Sequence, residues 1–267
     1  MSRIPLLACA LAGLAIPATA APALRAPTGK WVVNFADHQC TATRAFGTAD
    51  KPLHLVIKPS PGGEVTQIAL IEKGQNFDGY QDEATIELDG AKKLRTTQLS
   101  YGLSKKNFRL INLDAAQVVA LGQTTSLRWG GSADTLDLGP MTNLMKVLED
   151  CRRDLRRYWN IGPENHNGRI SGARPEKSLN SYFSTDDYPS QALSKGQQGV
   201  TAFVLLIDEK GQLRDCTIEQ TSGIATLDIM ACVIFGKRGK FAPAVGADGK
   251  PVRGSISTRV RWVMPER

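Results

Sequence analysis

Val200–Phe235, VTAFVLLIDEKGQLRDCTIEQTSGIATLDIMACVIF, carries the reading of the fold. Val200–Ile207 is a strand apolar on both faces. Asp208-Glu209-Lys210-Gly211 is a hairpin turn, with glycine where positive φ is needed. Leu213–Thr221 returns as a second strand, Cys216 and Ile218 pointing one way and Asp215, Thr217 and Glu219 the other. Gly223 breaks it, and Leu227–Phe235 forms a helix with Leu227, Ala231, Ile234 and Phe235 on its inner side. Beyond the loop KFAPAVGADGKPV, Ser255–Met264 is a last strand in which Ile256, Val260 and Trp262 alternate with Ser257, Arg259 and Arg261. The order ββαβ specifies a small antiparallel sheet with one helix across it.

Upstream, residues 161–180 change composition: Pro, Gly, Asn and charges without apolar period, the pattern of a linker. Residues 30–160 precede it as a β-rich domain. Short strand-like runs span Trp31–Phe35, Leu53–Lys58, Val65–Ile71, Ala84–Leu88, Thr97–Leu103 and Phe108–Leu113, with turn residues between them. Asp114 N-caps a two-turn helix that stops at Gly122, and Leu127–Trp129 and Leu136–Leu138 are two further strand candidates. Thr142–Trp159 is the clearest helix of this half. Leu144, Val147, Leu148, Cys151, Leu155, Tyr158 and Trp159 share one face, while Arg152, Arg153, Arg156 and Arg157 take the other, with Glu149 four residues before Arg153. Four arginines could grip an anion, but a solvated helix face is the commoner arrangement. The fold class is α+β.

Residues 1–20 read as a cleaved signal peptide: Arg3, an apolar run Ile4–Ile16, then Ala18-Thr19-Ala20. The run is shorter than the roughly 18 residues that span a bilayer, and no other segment is apolar enough, so the mature chain is expected to carry no transmembrane helix. Residues 21–29 are Ala/Pro-rich and expected to be disordered. Removing twenty of the 267 residues leaves 247, an even set of Cys40, Cys151, Cys216 and Cys232, and a net charge of +6, since +7 includes Arg3. Export implies an oxidising compartment and disulfides. Mixed charge and export exclude nucleic acid as the expected partner. Cys151, on the buried helix face, can reach an early strand carrying Cys40.

One resemblance is specific. Tyr188-Pro189, Ala192, Gly196, Gly199, Val200, Phe203, Ile207-Asp208, Gly211, Ser222-Gly223, Leu227-Asp228, Lys240–Ala244 and Asp248–Val252, in this order and spacing, resemble the C-terminal domain of the TonB energy transducers over about residues 182–265. The resemblance does not extend to residues 30–160. These motif residues are scaffold: Pro189 fixes φ ahead of a lead-in segment, Asp228 sits in the first helical turn, and Phe241 and Pro243 fill the helix–sheet core. Cys216 lies mid-strand on the face that the helix carrying Cys232 crosses. With neither a CxxC nor further ligands, a metal or redox role is disfavoured and a structural disulfide remains. The resemblance implies that a partner's extended peptide pairs beside the final strand, here through Ser255, Ile256, Thr258, Arg259, Val260, Arg261 and Trp262, by β-augmentation. Arg259 and Arg261 could select an acidic peptide, or merely guard an edge. A full transducer has an uncleaved membrane helix and a long Pro-rich spacer. With residues 1–20 read as a cleaved signal, lipidation at Cys9 and an uncleaved anchor being the minor alternatives, and a linker of only twenty residues, this chain is expected to have neither, so the resemblance supports binding more than energy transduction.

Three histidines, His38, His54 and His166, stand apart, and the acidic set Asp78, Asp82, Glu83, Glu87 and Asp89 lacks calcium-loop spacing. No catalytic motif appears, and no metal or cofactor is expected. The expectation is therefore a non-enzymatic periplasmic protein, residues 181–267 forming a TonB-like domain that binds an outer-membrane receptor or other envelope protein, with a link to TonB-type transport. The alternative is an enzyme or small-molecule binder with its site in residues 30–160.

Overall fold

The computed structural model describes residues 23–63, 65–132, 134–162 and 171–264. The signal-peptide reading and His166 lie outside them. Ten strands and two helices build the first half: β1 (Ala23–Arg25), β2 (Val32–Ala36), β3 (Gln39–Gly47), β4 (Pro52–Pro59), β5 (Thr66–Lys73), β6 (Phe77–Leu88), β7 (Lys92–Leu103), β8 (Lys106–Leu113), α1 (Ala115–Gly122), β9 (Ser126–Trp129), β10 (Asp134–Asp137) and α2 (Thr142–Tyr158). They form one sheet in the order β1-β10-β9-β6-β7-β8-β5-β4-β3-β2, antiparallel except for the β1–β10 pair. Ala23–Arg25, expected to be disordered, is thus an edge strand.

The sheet curls until its ends meet. Only six residues separate β1 from β2, and Pro27 already bridges to Phe46 on β3. The Leu138 carbonyl, just past β10, accepts from Trp31 Nε1 at 3.1 Å and from the Arg44 guanidinium of β3. Period-two alternation drives this closure: Leu53, Leu55 and Ile57 on β4 and Ile68 and Leu70 on β5 all point inward and are buried. Leu144, Leu148, Cys151 and Leu155 of α2, with its C-cap Trp159, join the same cluster, so the inside of the curl is packed with side chains. Cys151 is bonded to Cys40 on β3. Asp114 caps α1 in a reciprocal capping box with Gln117.

The arginine face of α2 is internally compensated. Arg152 pairs with Glu149, Arg153 with Asp150 and Arg157 with Asp154, each three residues apart, rather than Glu149 with Arg153. Arg156 donates to the carbonyls of Pro61 at 3.1 Å and Gly62 at 2.7 Å.

The second half begins inside the expected linker. Ser171 bridges to Val245, and β11 (Arg174–Pro175) pairs with a later strand, so 171–175 belongs to this half. Then follow α3 (Ser190–Ser194), β12 (Gly199–Ile207), β13 (Leu213–Gln220), α4 (Ala225–Arg238), β14 (Phe241–Ala242), β15 (Ala244–Val245), β16 (Pro251–Val252) and β17 (Gly254–Trp262). The sheet order is β13-β12-β17, with α4 across one face, and Cys216 and Cys232 bonded between β13 and α4. Gly211 has φ +75°, and a Cβ there would stand 2.1 Å from the Phe241 carbonyl oxygen, so no other residue fits this turn.

Three carboxylates sit below their usual range. The Arg128 guanidinium beside Glu87 and the Arg238 guanidinium beside Asp187 hold those carboxyls down. Burial pushes Asp89 up, but the amides and hydroxyls of Thr125 and Ser126, with the Thr124 hydroxyl, outweigh it. Folded values below the unfolded ones mean stability that is present above the unfolded carboxylate range and lost as pH falls through the folded values. The urea midpoint is expected to drop between about pH 6 and about pH 3; an unchanged midpoint would contradict the role of these three groups.

Candidate functional site

The final strand, β17, is where the expected site residues converge. Its register on β12 runs from Gly199↔Trp262 to Ile207↔Gly254 without a break. Ile256, Val260 and Trp262 are buried toward α4, while Ser257, Arg259 and Arg261 are exposed on the other face. Ser255 and Thr258 are half-buried. Phe183 and Tyr188 pack edge-on against the Trp262 ring, with centroids 5.6 and 5.4 Å away. That clamp fixes the strand's C-terminal end. Arg259 and Arg261 form no ion pair among the described residues. The outer edge of β17 pairs with no strand among the described residues.

The opposite edge and the outer face are different. Asn112 Nδ2 of β8 donates to the Ile218 carbonyl of β13 at 3.2 Å. Lys58 Nζ of β4 meets the Asp215 carboxylate at 2.9 Å, with side-chain exposures of 17% and 12%. Ser60 Oγ donates to Glu219. Val204 and Leu206 of β12 are buried in the core of the first half. The sheet is therefore covered on one edge by the curled sheet, on one face by α4 and on much of the other by the N-terminal half. The curled sheet also meets α4 directly: a Cβ at Gly79 of β6 would lie 3.0 Å from the Ala225 Cβ.

Asp228, in the first turn of α4, is fully buried. It accepts from the hydroxyls of Thr201 and Thr221 and from the Ser222 amide at 2.9 Å. This tethers the helix start to β12 and to the end of β13, a scaffold role for a buried carboxylate. A cleft of about 240 Å³ between β7, β8 and β13 is lined by Gln67, Gln81, Thr96, Asn112 and Thr221. Asn112 and Thr221 there already bond within the protein. Among the described residues no three potential metal ligands cluster, and no helix is long and apolar enough to cross a membrane.

Sequence reasoning did not anticipate the contacts of Lys58, Ser60 and Asn112 with the small sheet. One signal for them existed: a β12 apolar on both faces wants cover on both faces.

No curated protein matches the chain. The model of one family does, that of the Gram-negative bacterial TonB protein C-terminal, over residues 185–264. That family is a periplasmic protein-interaction domain without enzymatic activity. The matched segment runs from the turn before α3, through the β12–β13 hairpin and α4, to the end of β17, and so residues 185–264 form a TonB-family C-terminal domain.

Proposed function

We propose that this is an exported periplasmic, non-enzymatic protein whose TonB-like domain receives an extended segment of an envelope-protein partner at the outer edge of β17. An outer-membrane receptor of the TonB-dependent kind is the partner class the resemblance implies. The observation that supports this reading most is the asymmetry of the small sheet. Its β13 edge is occupied by Asn112, whereas the outer edge of β17 pairs with no strand among the described residues and presents a row of backbone donors and acceptors. An incoming strand would gain main-chain hydrogen bonds there. Side chains of the bound segment on the face away from α4 would lie beside Arg259 and Arg261, which have no ion-pair partner among the described residues. The inside of the curled sheet is packed by hydrophobic side chains and α2, which favours this reading over a catalytic cleft there.

A photo-crosslinking residue at Ser257, exposed on β17, is expected to trap an envelope protein through an extended, acid-containing segment. Arg259→Glu with Arg261→Glu is expected to weaken that capture about 5- to 10-fold, the size of two exposed ion pairs. Both arginines are exposed, so the fold tolerates the change. Capture that survives the double reversal at full strength removes the arginines from the interface. Capture through a folded surface of the partner, with no extended segment, refutes strand addition.

A further inference from the structure

On the outer face of the curled sheet, away from β17, lies a pocket of about 440 Å³. Leu53, Leu55, Ile68 and Leu70 point into the curl, so His54 and Val56 of β4 and Ile71 and Lys73 of β5 point outward, and all four line the pocket. His54 stands opposite Ile71, and Lys73 stands opposite Lys106 of β8. Two residues past Val56, Lys58 meets Asp215 of the small sheet, which covers the outer face at that end. At the other end Lys73, Lys105 and Lys106 line the pocket and are exposed. The pocket is therefore apolar beside Val56 and Ile71 and cationic beyond them.

The lysine pair is uncompensated. Residues directly opposite in an antiparallel pair hold their Cβ atoms about 5 Å apart, and like charges there repel. Lysines often guard a sheet edge, but β5 and β8 are both interior strands. The lysine ion pairs among the described residues are those of Lys58, Lys93 and Lys250. Glu72, the one acid among the lining residues, points to the inner face between Ile71 and Lys73 and meets Arg109 at 3.5 Å. Lys105 adds a third cation from the β7–β8 turn, which is left-handed at two non-glycine residues, Ser104 with φ 53° and Lys105 with φ 61°. The Gly74 amide donates to the Lys105 carbonyl at 3.0 Å, and the Lys105 amide donates to Asn76 Oδ1 at 3.0 Å. Those bonds hold the turn beside the lysine pair.

We infer that this pocket binds a small phosphate monoester with an apolar body, the phosphate among Lys73, Lys105 and Lys106 and the body against Val56 and Ile71. Three compact point charges suit a tetrahedral group of charge about −1.5 to −2, whereas a planar carboxylate is better matched by the arginine fork. A bound phosphate would relieve the repulsion between Lys73 and Lys106. The volume is that of a small-molecule site, a few hundred Å³ with apolar walls and a few polar groups. All of these residues belong to the first half, so the site stands or falls separately from strand addition at β17.

The probe is hexyl phosphate below its micellar concentration, titrated into the full oxidised chain and followed by amide NMR. Shifts are expected at His54, Ile71, Lys73 and Ser104–Lys106. Inorganic phosphate is expected to bind about tenfold more weakly, the loss of the hexyl contact. Hexyl glucoside and hexanoate are each expected to bind about 5-fold more weakly or worse, from loss of charge. Lys73→Gln with Lys106→Gln is expected to weaken hexyl phosphate about 5-fold or more, and Arg259→Glu with Arg261→Glu should leave it unchanged. Lys106→Glu puts an opposite charge across from Lys73, so it is expected to abolish binding yet raise the melting temperature of the free chain by about 1–3 °C. That rise also shows that the variant folds. Binding indifferent to the lysine variants, hexanoate as tight as hexyl phosphate, shifts outside the pocket, or a melting temperature that fails to rise in Lys106→Glu would each overturn the proposal. Flotation with phosphatidylglycerol vesicles in the absence of hexyl phosphate binding would also overturn it, giving the lysines to a membrane surface instead.

Discussion

Replacing Cys40 and Cys151 together by serine is expected to lower the unfolding free energy by about 4–5 kcal/mol, the larger of the two disulfide effects. The bond joins β3 to α2 across 111 residues, nearly the whole curled sheet, whereas Cys216–Cys232 spans 16. In the chain-entropy account the unfolded chain loses more freedom to the longer loop, and the shorter one is worth about 3 kcal/mol. Against a typical total of about 5–15 kcal/mol, the first loss leaves little margin. Cys40 is 1% and Cys151 8% exposed. The bond is largely shielded, touching only a small surface pocket beside Phe35 and Tyr158, so native-state reduction should be slow and accelerate in urea. Urea titrations of the two double-serine variants check the order. A larger loss from Cys216→Ser with Cys232→Ser would show that the β3–α2 bond constrains little.

The strands that could be read from sequence were those with large apolar side chains at alternate positions, such as β4, β5, β8 and β12. β3 could not: its inward residues are Cys40, Ala42 and Phe46, two of them small, with Thr41, Thr43 and Arg44 between. β6 was legible only from Ala84 onward. Its first half, Phe77–Glu83, is rich in Asp, Gly and Gln and carries turn chemistry. It is a strand because it pairs with β7 and lies under α4, tertiary contacts that no local pattern encodes. The same limit applied to the ends of the chain. An Ala/Pro-rich stretch looks unstructured until β10 is present to pair with Ala23–Arg25.

The β17 residues were legible for a different reason. Alternation of Ile256, Val260 and Trp262 with Ser257, Arg259 and Arg261 names the buried and exposed faces directly. What the alternation does not name is the neighbour. That β13 is capped by Asn112 and that Asp215 meets Lys58 depends on contacts 106 and 157 residues apart. The composition of 161–180 argued for separated domains, yet Asn160 donates to the Arg253 carbonyl at 2.8 Å, and the Arg253 guanidinium lies 3.9 Å from the centre of the Tyr158 ring. Polar composition marks where the chain is solvated, not how far apart the elements on either side come to rest.

Leu206 puts that closeness to its sharpest test. It is fully buried, pairs with Asp215 on one side and Ser255 on the other, and belongs to the core of the curled sheet although it sits on the TonB-like sheet. Leu206→Ala is therefore expected to cost about 2–5 kcal/mol, the range for a core leucine whose surroundings cannot collapse. Because its contacts belong to the first half and its backbone to the second, the loss should appear in both. Trp129 and Trp159 report the first half, and Trp262 the second. Unfolding followed through single-tryptophan variants is expected to give one shared midpoint, shifted equally by Leu206→Ala. Ile207→Ala is the contrast, since Ile207 is fully buried in the TonB-like core itself. If the Trp262 signal moves alone in Leu206→Ala, the two halves unfold as separate units and the shared core adds nothing to their coupling.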